Sequence, residues 1–268
     1  MIDLSIVIVS FNARADLERC LAALHQSPPA TTHEIIVVDN ASPDRSAQAA
    51  RAWPGVKVIE LPANKGFAAA NNAGIRQSTG RTVLLLNSDT VVPPAALDDL
   101  LAELDRHPDA AAIGPRLVDG SGHAELSFGS MLTPWTERRQ QRLMRGLEQG
   151  DPEIRRQVEV MTRQAQSPDW VSGACLLVRR ADADAVGLLD ERYFMYTEDV
   201  DFCAALRARG RRILFTPSVQ VVHLRGRSAA AVPEATRAAY RRSHLAFYRK
   251  HHPALAPILR LYNWLRPL

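Results

Sequence analysis

The segment VLLLNSDT, residues 83–90, changes abruptly from apolar to polar after its fourth residue. Its apolar half, residues 83–86, predicts a short strand that is buried on both faces of a sheet. Its polar half, Asn87-Ser88-Asp89, then lies where open α/β sheets bind ligands, at the carboxyl end of a strand. Asp89 is a hard oxygen ligand that suits Mg²⁺ or Mn²⁺. The segment alone also fits a strand that ends in an ordinary turn, so the rest of the chain must decide.

Strands and helices alternate through the first ninety residues. Short apolar runs predict strands at 4–9, 34–38, 56–61 and 83–86. Helices are predicted between them, at 15–26, 46–52 and 64–77. This alternation is typical of parallel βαβ units on one sheet with right-handed crossovers. The chain has neither GxGxxG nor GxxxxGK[ST], which disfavours a dinucleotide fold of the usual kind and a P-loop.

Three of these four strands are followed by Asn or Asp. Asn12 follows the first strand, Asp39-Asn40 the second, and Asn87-Ser88-Asp89 the fourth. Because parallel strands place their carboxyl ends at one edge of a sheet, these side chains are expected to converge in one crevice. A polar binding site is therefore the better interpretation of the strand ends.

The second half of the chain is less regular. Strands are predicted at 111–118 (broken by Gly114-Pro115), 170–179, 212–216 and 219–223, and helices at 97–106, 180–186, 200–209 and 233–249. Residues 134–166 are polar and predict two helices, at 136–149 and 152–166. We interpret them either as a mobile lid or acceptor-side insertion, or as a solvated helical excursion. Gly173 and Ala174 would let a backbone or ligand approach closely.

Two further positions carry candidate chemistry. Glu198 and Asp199 precede the helix at 200–209, where acids either cap the helix or, beside apolar walls, act as a general base. His223 ends a predicted strand, and a neutral imidazole there is either a structural residue or a metal ligand. Arg225 and Arg227 follow it and are candidates for phosphate contact.

Charge is unevenly distributed along the 268 residues. The net charge is +4, yet 13 Arg or Lys and a single acid, Glu234, lie between Cys203 and the end. This tail suits phosphates, nucleic acid or an anionic membrane, although it lacks the stacking aromatics on a sheet that are typical of a nucleic-acid surface. Residues 257–268 have the composition of a short interfacial anchor, or equally of a helix packed on its own domain.

Nothing in the sequence predicts a membrane span or a metal site built on cysteine. There is no run of about 18 apolar residues, and the apolar start reads as a first strand and not as a signal peptide. The three cysteines are widely spaced, which fits reduced thiols in a cytoplasmic protein.

Six ordered motifs together resemble the family 2 glycosyltransferases of the GT-A fold, most nearly their rhamnosyltransferase-like branch. The motifs are SIVIVSFN, VVDNAS, NKGFAAANNAG, LLLNSDT, WVSGACLLVRR and LDERYFMYTEDVDFCAALRARG. The resemblance implies an α/β fold with a mixed, mainly parallel sheet flanked by helices, a helical insertion and a C-terminal helical tail. It divides the chain into a catalytic domain at 1–232, made of 1–118, 119–169 and 170–232, and a tail at 233–268.

The resemblance also implies roles for individual residues. Asp199 matches the catalytic base, Glu198 lies near the acceptor, and Asp89 and His223 match ligands of a divalent metal, Mg²⁺ or Mn²⁺. Asn87 departs from the pattern, since many relatives have Asp there, and the lost charge would weaken metal binding. The nucleotide-sugar side comprises Phe11, Asn12, Asp39, Asn40, Asn64, Lys65, Gly66, Asn71, Asn87 and Ser88.

The implied activity is inverting transfer of a sugar from a nucleotide diphosphate donor, with dTDP-rhamnose favoured by the branch. The implied acceptor is a hydroxyl of a glycan or of a polyprenyl-diphosphate-linked sugar in cell-surface polysaccharide synthesis. The enzyme would be cytoplasmic and peripheral on the inner membrane through its tail. Alternatives are a different donor such as a UDP-sugar, or an inactive nucleotide-sugar-binding protein. A nucleotidyltransferase is disfavoured because residues 10–14 lack the glycine of a phosphate loop.

Overall fold

The structure is a computed structural model that describes residues 2–224 and 238–261, and the backbone of 233–237 and 262–265. The strands are β1 (Leu4–Ser10), β2 (His33–Asp39), β3 (Val56–Glu60), β4 (Thr82–Asn87), β5 (Thr90–Val91), β6 (Ala110–Val118), β7 (Phe128–Gly129), β8 (Trp170–Val171), β9 (Cys175–Arg179) and β10 (Arg212–His223). The helices are α1 (Arg14–Gln26), α2 (Ser46–Arg51), α3 (Phe67–Gln77), α4 (Ala96–Asp105), α5 (Pro134–Glu148), α6 (Pro152–Met161), α7 (Arg180–Ala185), α8 (Glu198–Ala208), α9 (Pro233–His251) and α10 (Ala256–Leu265).

A central sheet of eight strands organises the molecule, in the order β3-β2-β1-β4-β9-β6-β10-β5. β1 pairs in parallel with β2 and β4, β2 with β3, and β6 with β10. Only β9 and β5 run against this direction within the sheet. The expectation of a mixed, mainly parallel sheet flanked by helices is therefore confirmed.

Apolar residues on the central strands face two cores because successive side chains point to opposite faces. On β4, Leu84 and Leu86 pack into the core covered by α1 and α4. Val83 and Leu85 pack into the other core, with α3, α8 and α9. All four are buried to 1% exposure or less, which explains why this strand is a continuous apolar run.

Strand register brings the polar strand ends together at one edge. Ser10 pairs with Asp39, and Val9 pairs with Asn87, so β1, β2 and β4 end at the same level. β10 also ends there, because its last residue, His223, pairs with Thr90 of the short antiparallel β5. β9 starts there because it runs the opposite way.

Three strand predictions in the second half were wrong. The predicted strand 170–179 is two strands, β8 and β9, separated at residues 172–174. The predicted strands 212–216 and 219–223 form one strand, β10, with a bulge between Thr216 and Gln220.

The predicted break in β6 is absent. β6 continues through Gly114-Pro115 because it pairs there with β10, Gly114 with Phe215 and Pro115 with Thr216. Its pairs with β9 are Ala112 and Ile113, so the missing N–H of Pro115 costs that ladder nothing. A Cβ on Gly114 would lie 2.8 Å from Val171, so the glycine makes room for β8.

The segment 134–166 folds as two helices that share a small core with Ala124 and Leu126. α5 begins two residues earlier than predicted because Thr133 and Thr136 form a capping box and Pro134 occupies the first turn. Leu143 of α5 packs with Ile154 and Val158 of α6. α6 ends at Met161, before the predicted residue 166.

Helix α9, the first of the two helices in the C-terminal segment, packs on the rest of the molecule. Phe247 and Tyr248 are buried in the core that also holds α3 and α8. The predicted division of the chain at residue 232 stays a prediction. Within the described part of the chain, no helix combines the length and apolar character that crossing a bilayer requires.

Candidate active site

Asp89 and His223 meet at the polar edge of the sheet. Asp89 lies in the turn between β4 and β5, and the pairing of β5 with β10 carries His223 to it. His223 Nε2 lies 3.2 Å from Oδ1 of Asp89, and both side chains are only 12–13% exposed. The amide of Asn87 is 3.4 Å from the same nitrogen. The predicted pair of metal ligands is thus brought together, with Asn87 beside it.

Glu125 completes this cluster, although no sequence pattern predicted it. Its Oε2 lies 3.1 Å from His223 Nδ1, and its side chain is 5% exposed. Burial lowers the pKa of His223, but the hydrogen bonds to Asp89 and Glu125 outweigh this effect and raise the pKa to about 9. Glu125 therefore fixes the orientation of the imidazole, as carboxylates do behind metal-bound histidines.

Asp39 and Asn12 lie together at the ends of β2 and β1. Oδ2 of Asp39 accepts from the Ser42 N–H at 3.1 Å, and the Ser42 hydroxyl accepts from the Asn12 N–H at 3.1 Å. Oδ1 of Asp39 is buried and has no hydrogen-bond partner among the described residues. A buried carboxylate oxygen in this condition is a ready acceptor for a ligand N–H.

Asn40 ties β2 to the start of α3. Its Nδ2 donates to Oδ1 of Asn64 at 2.9 Å, and its Oδ1 accepts from the Lys65 N–H at 2.9 Å. Gly66, with φ of 85°, leaves no room for a Cβ against the carbonyl of Phe194. Four of the predicted nucleotide-side residues thus form one hydrogen-bonded loop.

The remaining predicted residues lie outside these hydrogen-bonded groups. Phe11 is half-buried after β1, Ser88 is buried beside Asp89, and Asn71 is buried on α3. Asn71 donates to the Phe67 carbonyl at 3.0 Å, while its Oδ1 lacks a partner in the described part of the chain. Arg225 and Arg227 lie outside the described residues.

Asp199 is held by backbone donors in the first turn of α8. The Gly173 N–H donates to its Oδ2 and the Val200 N–H to its Oδ1, each at 2.9 Å. A Cβ on Gly173 would lie 3.5 Å from Asp199 and 3.2 Å from Phe67, so the glycine permits this approach. Burial raises the pKa of Asp199, and these two N–H donors oppose the rise.

Glu198 is more deeply buried than its neighbour, at 6% exposure. Burial and then the charge of Asp199 raise the pKa of Glu198 to about 8. Its Oε2 finds no hydrogen-bond partner within residues 2–224 and 238–261. Tyr196 and Thr197, just before it, have φ of 69° and 68°, which side chains other than glycine rarely adopt. Such strain typically occurs at functional sites.

The two acidic clusters are neighbours through the backbone. The Asn87 N–H donates to the Ala174 carbonyl at 2.9 Å, and the adjacent Gly173 donates to Asp199. One edge of the sheet therefore carries Asp89 with His223, the nucleotide-side loop and the Glu198–Asp199 pair.

The residues at this edge fit a divalent cation that is also held by a ligand. No cluster of three His, Cys, Asp or Glu side chains suited to a metal occurs among the described residues. Mg²⁺ usually takes one or two carboxylates and completes its shell with water and substrate phosphates, which suits Asp89 and His223. The cation would replace the proton that His223 Nε2 shares with Asp89.

Comparisons with known proteins place the chain among sugar-transferring enzymes. The model described as "Glycosyl transferase family 2" matches residues 5–158, and "Glycosyl transferase family group 2" matches residues 82–244. An N-acetylglucosaminyl-diphospho-decaprenol L-rhamnosyltransferase from Mycobacterium tuberculosis is 32% identical, over 93% of this chain and 85% of its own length.

Solved structures share the fold. A mannosyltransferase from Pyrobaculum calidifontis, solved with GDP-Man and Mn²⁺, matches with a TM-score of 0.65 at 18% identity, over 98% of this chain and 69% of that one. Staphylococcus aureus TarS with UDP-GlcNAc matches with a TM-score of 0.61 at 17% identity, over 92% and 67% of the two chains.

Proposed function

The chain belongs to glycosyltransferase family 2 and is a sugar-transferring enzyme, and from this we propose that it moves L-rhamnose from dTDP-rhamnose. The proposed acceptor is a hydroxyl of a polyprenyl-diphosphate-linked N-acetylglucosamine in cell-surface polysaccharide synthesis. The relative from M. tuberculosis, similar over most of both chains, supports this donor and acceptor. One observation carries the reaction type: Asp199, held by two backbone N–H groups, lies on the same edge of the sheet as the Asp89–His223 pair and is linked to it through the hydrogen bond from Asn87 to Ala174.

In the proposed reaction the acceptor oxygen forms a bond to the anomeric carbon. The bond from that carbon to the diphosphate breaks, and the diphosphate leaves with the electron pair. Asp199 takes the proton of the acceptor hydroxyl, and burial raises the pKa of Asp199, which makes it a stronger base than an exposed aspartate. A single displacement of this kind inverts the anomeric centre.

The nucleotide side has groups suited to the donor. The unsatisfied Oδ1 of Asp39 would accept a ring N–H of the base. The loop of Asn40, Asn64, Lys65 and Gly66 would border the nucleoside and diphosphate. A divalent cation, Mg²⁺ or Mn²⁺, held by Asp89 and His223 would neutralise charge on the leaving diphosphate.

The test is a donor panel with a defined acceptor. Purified enzyme receives dTDP-rhamnose, UDP-N-acetylglucosamine or GDP-mannose with Mn²⁺ or Mg²⁺, with and without N-acetylglucosaminyl-diphospho-polyprenol. We expect nucleoside diphosphate release and a product heavier by one deoxyhexose only with dTDP-rhamnose and the acceptor. Transfer from the UDP-sugar would show that dTDP-rhamnose is not the donor. Donor binding without transfer from any donor would indicate an inactive binding protein.

Contact with the membrane that carries such an acceptor is supported by α10. Ile258 and Leu261 are 65% and 57% exposed, and Arg260 lies between them. The parent should co-sediment with liposomes that contain anionic lipid. A variant with both Ile258→Ser and Leu261→Ser should stay in the supernatant. Val160→Ser, at a 57% exposed position on α6, is the matched control. Equal sedimentation of all three proteins would contradict the proposed membrane contact.

A further inference from the structure

Two exposed tyrosines touch each other beside the catalytic pair. Tyr196 lies in the loop before α8 and Tyr240 lies on α9, and each is 38% exposed. Their ring centroids are 5.7 Å apart at an interplanar angle of 71°. The proposed reaction as described above makes no use of either ring.

Tyr196 is coupled to the catalytic pair through its backbone. It precedes Glu198 by two residues, in the turn of Tyr196 and Thr197 that leads into α8. Its φ of 69° is unfavourable for a tyrosine, so the surrounding structure holds the ring where it lies.

Tyr240 is supported from behind by a ladder of rings. His244 stacks on it with centroids 5.5 Å apart and planes 16° from parallel, and Tyr248 meets His244 edge-on at 4.9 Å. His244 Nε2 lies 2.9 Å from the carboxylate of Glu137 on α5. The ladder is buried at His244 and Tyr248 and reaches solvent at Tyr240 and Tyr196. Rigid aromatic rings presented in this way bind ligands at little entropic cost.

We propose that Tyr196 and Tyr240 form a stacking platform for the sugar ring of the acceptor. The proposal rests on the proposed function and deepens it. In a displacement with inversion the acceptor attacks from the face opposite the diphosphate, so it must approach on the α8 side of the site. The apolar C–H face of a pyranose packs well on an aromatic ring. Helix α9 would thereby supply part of the acceptor site.

The experiment compares Tyr240→Ala, Tyr240→Phe and Tyr196→Ala with the parent, using dTDP-rhamnose and N-acetylglucosaminyl-diphospho-polyprenol. We expect both alanine variants to raise the acceptor KM by about three- to tenfold. Tyr240→Phe should restore the parent value because it keeps the ring. Calorimetric affinity for thymidine diphosphate with Mn²⁺ should stay within about twofold of the parent.

Each outcome decides one point. An unchanged acceptor KM in both alanine variants overturns the platform, as does an equal loss of acceptor and nucleotide affinity, which would indicate a purely structural role. Val160→Ala on α6 controls for loss of an exposed apolar side chain. If the parent itself transfers no sugar to this acceptor, the proposed function fails, and the platform fails with it. Transfer by the parent with an unchanged KM in the alanine variants overturns the platform alone.

Discussion

The two acidic clusters at the edge of the sheet differ in how their charge is compensated. Asp89 and Glu125 both contact His223, whose pKa they raise to about 9 against the opposing effect of burial. Glu198 and Asp199 are adjacent carboxyl groups with backbone N–H donors, and burial raises the pKa of both. The first cluster suits a cation and a leaving anion, and the second suits a proton. Similar residue types thus acquire different chemistry from their surroundings.

Replacing Asp199 should have the largest effect on the reaction. Asp199→Asn keeps the shape of the side chain and removes the proposed base, so kcat should fall by about 10²–10⁴-fold while the donor KM changes little. Steady-state kinetics with dTDP-rhamnose and the lipid-linked acceptor measures this. Asp184→Asn, at an exposed position on α7, is the control and should match the parent. Parent-like turnover by Asp199→Asn would assign the base elsewhere.

Replacing Glu125 should weaken the metal-side cluster by a smaller factor. Glu125→Gln keeps the size of the side chain and removes the charge that orients His223. Removal of such an outer carboxylate typically costs about 10–100-fold in metal affinity or activity. Titration with Mn²⁺ in the presence of thymidine diphosphate should show this loss. The same affinity in Glu125→Gln and in the exposed control Glu153→Gln would show that His223 needs no support.

Replacing Glu198 should change stability in a pH-dependent way. Its pKa of about 8 exceeds that of an unfolded glutamate, so the folded protein retains a proton that the unfolded chain releases between about pH 4.5 and 8. The free energy of unfolding therefore falls as pH rises through this window. Glu198→Gln removes this loss, and its Tm should exceed that of the parent by about 2–4 °C or more at pH 8.

The parent and Glu198→Gln should have nearly the same Tm near pH 4.5, because ionisation of Glu198 in the unfolded chain then contributes little to the free energy of unfolding. Thermal scans at both pH values, with Glu148→Gln at an exposed position on α5 as control, measure the difference. A Tm difference that is constant with pH would mean that Glu198 titrates normally.

The sequence predicted the nucleotide half of the fold well because its signals are local. Each apolar run there is a strand, and the three buried ones, β1, β2 and β4, end in polar clusters that the register aligns. The second half depends on distant partners. β6 continues through Pro115 because it pairs there with Thr216 of the distant β10, and no local pattern contains that information.

The candidate site shows the same limit. Asp89, Asp199 and His223 each follow or precede an element that the sequence reveals, so they could be named in advance. Glu125 lies 98 residues from His223 in an unpatterned loop, and only the folded chain brings them together. Lys250 of α9 likewise meets Asp190 and Asp201 at 2.9 and 2.8 Å, which no spacing predicts.

The proposed roles of the two clusters, metal-dependent nucleotide binding at Asp89 and proton transfer at Asp199, are tested most directly by one calorimetric comparison. Thymidine diphosphate is titrated into Asp89→Ala and Asp199→Asn, with and without Mn²⁺. We expect Asp89→Ala to lose the Mn²⁺-dependent part of the affinity, and Asp199→Asn to bind as tightly as the parent. Full Mn²⁺-dependent binding by Asp89→Ala, or an equal loss in both variants, would contradict the separate roles assigned to them.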